Sequence, residues 1–158
     1  MGKKTGPNPT DRAKKGTKRS VLTEAAGIPL GLAVDGANRN DFKMTAETLL
    51  SIPIARPEPT ENSPQNLCLD KGYDYKEVRE LAEEFGFTAH IKSRGEEAKA
   101  LKNSVRFKAR RWVVERTHSW MNRFRRILVR WEKRADTYLA MLHLSLGIIA
   151  WRCSHLLE

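Results

Sequence analysis

Two acidic residues lie in surroundings that could support chemistry on a phosphate ester. Asp70 directly follows the apolar run 67–69, as an acid at the carboxyl end of a strand would. Glu115 is the only acid between Glu97 and Glu132, and three arginines crowd it: Arg110, Arg111 and Arg116. Carboxylate oxygens are the ligands that hard divalent cations require. Two Mg²⁺ ions bridged by carboxylates can activate an attacking oxygen and stabilise a leaving one.

Each acid also has a simpler interpretation. Asp70 precedes Gly72, and aspartate is common in turns of this kind. Glu115 could balance the charge of a helix face, where an exposed ion pair contributes well under about 1 kcal/mol. For Asp70 considered alone the turn interpretation is the favoured one. The basic residues around Glu115 favour a functional role for that acid.

The net charge of +10 is divided into blocks along the chain. Residues 1–20 carry a net +6, residues 21–91 a net −6, residues 92–134 a net +11 and residues 135–158 a net −1. Basic blocks of this kind attract polyanions, and phosphate neutralisation is the largest general source of affinity for nucleic acid. The alternative is a solvated basic face. Two cysteines without metal-type spacing exclude a disulfide scaffold and a zinc ribbon, and a reducing cytosol is the expected compartment.

The first half of the chain predicts an arm, a hairpin and one helix. Residues 1–16 are rich in glycine, proline and lysine, which predicts a basic flexible arm. The apolar runs 20–23 and 28–34 predict an antiparallel hairpin. A helix capped by Asp41 should follow. Residues 51–65 contain four prolines and predict an exposed connection.

The second half predicts a strand–helix–strand unit and two long helices. Residues 66–91 suit a parallel strand pair, with a buried first strand and a crossover helix that begins at an Asp74–Glu77 capping box. Neither glycine nor proline interrupts 107–131, where apolar residues recur every three or four positions. That spacing places Trp120 and Trp131 on a core-facing stripe and leaves Trp112 as a candidate for stacking on bases. Residues 135–152 are apolar almost all round and predict a buried core helix.

The run 111–126, RWVVERTHSWMNRFRR, resembles the signature helix of the DDE transposases of prokaryotic insertion sequences. Relatives carry a Tyr, two residues, Arg, three residues, Glu, six residues, Lys pattern. Arg111 and Glu115 match it, whereas Lys108 and Asn122 stand at the Tyr and Lys positions. Further segments resemble the same family in order along the chain: 5–11, 18–20, 36–41 and 67–73.

The resemblance implies an α/β fold with an RNase H-like core and long carboxyl-terminal helices. It implies that the chain cuts and joins DNA at transposon ends and in target DNA with Mg²⁺ or Mn²⁺, in a prokaryotic, nucleoid-associated setting. Asp70 would be the second catalytic acid and Glu115 the third, both as metal ligands. The DNA contacts implied are Lys18, Arg19, Lys108, Arg111, Arg116, Asn122, Arg123, Arg125 and Arg126.

In this family the first catalytic Asp lies upstream of the basic segment with which this sequence opens. We therefore expect residues 17–158 to form a partial catalytic domain, truncated at its first strand and with an exposed sheet edge where that strand would pair. The missing part would come from an amino-terminal fragment, from another copy or from a fused reading frame. The alternative is a non-catalytic DNA-binding remnant that occupies DNA or inhibits full-length transposase. A third possibility is an RNA-binding or ribosome-associated protein, which the acids at strand ends disfavour.

Overall fold

The structure is a computed structural model and describes residues 4–92 and 111–154. The chain divides into two compact units, one made of 1–53 with 113–158 and the other of 54–112. The described parts of each unit are taken separately. No helix in the described ranges is long and apolar enough to cross a membrane.

The first unit combines a small antiparallel sheet with helices from both ends of the chain. Its sheet contains β1 (Gly6–Pro7), β2 (Lys15–Thr23) and β3 (Pro29–Gly36). A 3₁₀ helix (Asp41–Met44) leads into α1 (Thr45–Leu50). The carboxyl-terminal helices are α3 (Arg111–Asn122), α4 (Arg125–Leu128) and α5 (Ala135–Ser154), with α3 beginning at the boundary between the units.

The predicted hairpin is confirmed, and both of its strands are longer than the apolar runs suggested. β2 and β3 pair antiparallel from Thr17↔Gly36 to Thr23↔Pro29, with an irregularity after Leu22. β1 continues the pairing on residues 15 and 16 of β2. Residues 6 and 7 therefore pair with residues 16 and 15 inside the segment for which the sequence predicted a flexible arm.

β1 and β3 lie on the same side of β2. A Cβ built on Gly36 would be 2.9 Å from the backbone nitrogen of Gly6. Partners on opposite sides of β2 would be two strand spacings apart, about 9.5 Å. The other side of β2 pairs with no strand in the described part of the chain.

The hairpin packs against α1 at close range. A Cβ on Gly31 would be 2.6 Å from the carbonyl oxygen of Thr48, so only glycine allows this approach. The Ser51 hydroxyl accepts a 2.7 Å hydrogen bond from the Leu32 amide. The predicted Asp41 cap is wrong, because the 3₁₀ helix has Asn40 at its N-cap position with no side-chain cap, and the Asp41 carboxylate lies 3.2 Å from Lys18 Nζ.

The long helix predicted over 107–131 is not continuous in its described part. It ends at Asn122, and Phe124 adopts an extended conformation before α4. Turn-type hydrogen bonds join the Arg123 amide to the Trp120 carbonyl and the Phe124 amide to the Met121 carbonyl. The break lets Ile127 enter the core. It leaves Trp131 78% exposed, so the prediction that Trp131 packs in the core is wrong.

The core of the first unit lies between β3 and the carboxyl-terminal helices. It contains Leu32, Val34, Met121, Ile127, Tyr138, Leu142, Leu146 and Ile149. α5 confirms the predicted last helix, but it is not buried all round, since Leu144 is 58% exposed and Trp151 63%. One stripe of α5 therefore packs on the sheet and the opposite stripe is open.

The second unit is the predicted strand–helix–strand. β4 (Gln65–Asp70) and β5 (Phe87–Lys92) pair in parallel, and α2 (Lys76–Glu84) connects them after a 3₁₀ turn at Lys71–Tyr73. α2 buries Val78 and Ala82. β4 alternates rather than being buried throughout, because Leu67 is buried whereas Asn66 and Cys68 are exposed.

The predicted capping box at the start of α2 is wrong. Tyr75 occupies the N-cap position, and no side chain caps the helix. The Asp74 carboxylate instead accepts hydrogen bonds from Lys71 and Arg79. Two cations thus hold the carboxylate that the sequence pattern assigned to the helix terminus.

Candidate functional site

Asp70 is the last residue of β4 and lies on the exposed face of the two-stranded sheet. It follows Asn66 and Cys68 on the same face, because side chains alternate along a strand. In the parallel register it is paired with Lys92, the last residue of β5. The backbone of β4 therefore fixes the position of an exposed carboxylate at the carboxyl end of the sheet, as the sequence predicted.

The segment after Asp70 is ordered by a small ion-pair network. Lys71 donates to one oxygen of Asp74, and Arg79 donates to the other through Nε at 3.0 Å and Nη2 at 2.6 Å. The hydrogen bond from Lys71, followed by that from Arg79, lowers the pKa of the Asp74 carboxyl. This network fixes the turn that leaves β4 at Asp70.

Glu115 lies in the first half of α3 on its exposed face. On the other face Val113, Thr117 and Met121 are buried, at the spacing of four that one helical stripe requires. His118 is half-buried, and Asn122 is exposed. The predicted core-facing stripe of this helix is therefore confirmed for the described residues.

Two consecutive residues of α3 bond to the hairpin turn (residues 24–28) that joins β2 to β3. The Arg116 guanidinium donates to the Ala26 carbonyl through Nη2 and lies over the Trp120 ring at 4.9 Å. The Thr117 hydroxyl donates a 2.7 Å hydrogen bond to the Gly27 carbonyl. The helix that carries Glu115 is thus attached to the sheet one and two residues after that acid.

Arg19 on β2 makes a second attachment to the same helix. Its Nη2 donates to Asn122 Oδ1 at 3.2 Å, and its Nη1 is buried without a hydrogen-bond partner among the described residues. Burial, followed by the positive charge of Arg19, lowers the pKa of His118. Arg19 and Asn122, both proposed as DNA contacts, are therefore neighbours in the fold although about a hundred residues separate them.

The remaining candidate DNA-binding residues differ in whether a carboxylate already lies beside their positive charge. Lys18 donates to the Arg39 carbonyl at 2.8 Å and lies beside Asp41. Arg126 pairs with Glu132 at 2.9 Å. Arg123 and Arg125 are exposed. Lys108 lies outside the described residues, and Arg111 is described only as the first residue of α3.

The two candidate acids belong to different units, Asp70 to residues 54–112 and Glu115 to the other unit. Within 4–92 and 111–154, no group of three or more His, Cys, Asp or Glu side chains could hold a metal ion. The sequence pattern places Thr117 on the apolar stripe of the helix but predicts no partner for its hydroxyl. A hydroxyl at a core position of a helical stripe was the available signal, since a buried hydroxyl requires a partner.

The chain combines a sheet flanked by helices with one acid at a strand end and another acid in a basic helix. Together these features suit a protein that acts on a polyanion. Residues 67–152 match the family described as "Transposase DDE domain". The chain is also similar to a Burkholderia cepacia protein whose name is that of a transposase for insertion sequence element IS402. The two are 40% identical over 152 residues, which is 94% of this chain and 69% of that protein. The chain therefore belongs to the DDE transposases of insertion sequences. No solved structure matches it.

Proposed function

We propose that this chain provides two of the catalytic carboxylates of a transposase that cleaves DNA at insertion-sequence ends and transfers the strands to target DNA. The observation that carries the proposal is the placement of Asp70 and Glu115, the two acids that match the family pattern. Each is exposed and held by a regular element, Asp70 by β4 and Glu115 by α3. Exposed acids held rigidly suit a site that must admit a DNA phosphate.

The donor chemistry of these residues fits Mg²⁺ or Mn²⁺. Carboxylates are hard oxygen ligands, and both side chains are open to solvent. Asp70 and Glu115 would hold the metal, which when bound supplies Lewis-acid activation of an attacking oxygen. The family pattern adds an Asp on the first strand of the core to these two acids, and we propose that a further polypeptide segment supplies it.

Unpaired sheet edges offer positions at which a further strand would pair. One side of β2 is unpaired in the described chain, and β4 pairs only with β5 there. In an RNase H-like core a further strand pairs along such edges, and unpaired edges readily accept one. The strand could belong to a longer form of this chain, to a separate fragment or to a second copy.

The basic residues would hold DNA through its phosphates. We propose Lys18, Arg19, Lys108, Arg111, Asn122, Arg123, Arg125 and Arg126 as contacts, which position DNA without reading its sequence. Arg123 and Arg125 are both exposed, and neither pairs with a carboxylate within the part of the chain that the structure describes. Arg116 belongs to the same proposed set, although Nη2 of its guanidinium already donates to the Ala26 carbonyl of the hairpin turn.

Strand cleavage tests this proposal. Terminal-repeat DNA is incubated with the purified chain and Mg²⁺ or Mn²⁺, with and without a polypeptide that carries the Asp-bearing first strand. We expect cleavage only with both polypeptides, and its loss in Asp70→Asn and in Glu115→Gln. Glu80→Gln is the matched control, because Glu80 is an exposed acid of α2 paired with Lys76.

The second candidate is a DNA-binding remnant that inhibits full-length transposase. The absence of a group of three ligating side chains among the described residues favours it. Specific binding of terminal-repeat DNA without cleavage under any complementation, together with inhibition of an active transposase, would establish this candidate in place of the first.

A further inference from the structure

The hairpin turn is held together by hydrogen bonds between its own residues. The Gly27 amide donates to the Glu24 carbonyl at 2.9 Å, and the Glu24 amide donates to the Ile28 carbonyl at 3.0 Å. The Glu24 carboxylate accepts hydrogen bonds from the amides of Ala26 at 2.7 Å and Ile28 at 3.0 Å. The amides of Glu24, Ala26, Gly27 and Ile28 are thus bonded inside the turn, while the carbonyls of Ala26 and Gly27 accept from α3.

The geometry of the turn matches α3 closely. Gly27 has φ +86°, a conformation that L side chains rarely adopt. A Cβ at this position would be 2.9 Å from Arg116 Nη2 and 3.3 Å from the Thr117 hydroxyl oxygen. Glycine therefore lets the turn reach the helix, and its positive φ forms part of the turn that presents the two carbonyls.

Thr117 is the buried member of this contact. Its side chain is fully buried on the stripe that includes Val113 and Met121. Valine would fill the same volume without a polar group, and a buried hydroxyl is costly unless it is bonded. The 2.7 Å bond to the Gly27 carbonyl satisfies it, with a longer 3.3 Å contact to the Val113 carbonyl.

We infer that the hairpin turn positions Glu115, with Arg116 and Thr117 as the positioning residues. Because the two bonds come from consecutive residues, they fix both the rotation of α3 about its own axis and its position along that axis relative to the turn. Arg19 and Asn122 restrain the far end of the helix. Metal ligands depend on such supporting bonds for their orientation. The inference rests on the proposed role of Glu115 as a metal ligand.

Mn²⁺ binding by the full chain tests the inference without requiring activity. Mn²⁺ is titrated into ¹⁵N-labelled protein, and paramagnetic broadening of the amides around Glu115 gives the half-saturating concentration. Thr117→Val should raise that concentration about tenfold, the usual cost of removing a supporting bond. Thr117→Ser should keep that concentration near the wild-type value, because serine retains the hydroxyl. Thr48→Val is the matched control, because Thr48 is also buried and its hydroxyl contacts Ser20 Oγ at 2.8 Å and the Met44 carbonyl at 2.8 Å, away from α3.

A second variant separates positioning from electrostatics and guards against misfolding at the buried site. Arg116→Met removes the positive charge of the residue next to Glu115, and the loss of its Coulomb repulsion toward Mn²⁺ should by itself strengthen Mn²⁺ binding. Loss of the bond to Ala26 should instead weaken it. Weaker binding supports the inference, and stronger binding overturns it.

The failures of the two proposals are distinguishable. If the wild-type chain shows no broadening around Glu115, the role of Glu115 as a metal ligand fails, and this inference fails with it. If the wild type binds Mn²⁺ there but Thr117→Val behaves like Thr48→Val, only the positioning role is overturned.

Discussion

The hydroxyl of Thr117 and the carbonyl oxygen of Gly27 form a 2.7 Å hydrogen bond, although 90 residues separate them in the chain. The bond joins the carboxyl-terminal signature helix to the tip of the amino-terminal hairpin. It is one of the contacts by which residues 113–158 and the beginning of the chain form one unit. The stability of that unit should therefore depend on a glycine and a threonine that perform no chemistry themselves.

Two glycines should respond to alanine substitution with opposite signs. Gly27→Ala should lower the free energy of unfolding by more than about 1 kcal/mol, because alanine is strained at φ +86° and its Cβ would crowd Arg116. Gly147→Ala should raise it by up to about 1 kcal/mol, because Gly147 lies inside α5 with nothing within 4 Å of an added Cβ. Urea unfolding measures both, and equal effects would contradict the structure.

Leucines on opposite stripes of α5 should differ in their contribution. Leu142→Ala should cost about 2–5 kcal/mol, because Leu142 is completely buried in the core. Leu144→Ala should cost less than about 1 kcal/mol, because that side chain is more than half exposed. Thermal unfolding of the two variants provides the comparison, and similar losses would show that the open stripe of α5 is covered in solution.

The stability of the first unit should fall as the solution is made mildly acidic. In the unfolded chain His118 takes up a proton near its ordinary pKa of about 6.5. In the folded chain burial and then Arg19 lower the pKa of His118, so that protonation requires a lower pH. Between these two values the unfolded state binds more protons, so the free energy of unfolding decreases as pH decreases.

Unfolding at a series of pH values below about 7 measures this dependence, and His118→Gln should flatten it. In Arg19→Gln the imidazole pKa, followed by NMR, should rise, because the positive neighbour is gone while burial remains. An imidazole that titrates at its ordinary value in the wild type would refute the prediction.

Exposed arginines of the signature region should contribute to DNA binding through charge. Arg123→Gln should weaken binding to all DNA sequences and reduce the slope of log affinity against log salt by about 1, as loss of one phosphate contact does. Lys76→Gln is the control, since Lys76 is an exposed cation on α2. Fluorescence anisotropy at several salt concentrations measures the slope. An unchanged slope in Arg123→Gln would remove Arg123 from the DNA contacts.

Much of the secondary structure follows from short-range sequence signals. The hairpin, the parallel strand–helix–strand and the last helix all form where apolar periodicity and turn residues indicated them. The exposed placement of Asp70 and Glu115 follows in the same way, from the end of an apolar run and from the helical repeat. These signals depend on residues close together in the chain, so they can be interpreted without knowledge of the fold.

The errors arise where another interaction competes with the preference that a short sequence pattern indicates. Asp74 is the right residue for a helix cap, but Lys71 and Arg79 bind its carboxylate. Nothing in the sequence interrupts the helix after Asn122, yet the chain turns there, and Ile127 enters a core built with β3 and α5. Trp131 is exposed as a consequence.

The sequence by itself determined the family, the two candidate acids and the distribution of basic charge. Only the tertiary structure decided what each basic and hydroxyl side chain binds. Arg116 holds a carbonyl of the hairpin turn, and Arg19 holds Asn122. A hydrogen bond depends on distances of about 3 Å between atoms that the chain brings together from far apart, and no spacing in the sequence specifies such a distance.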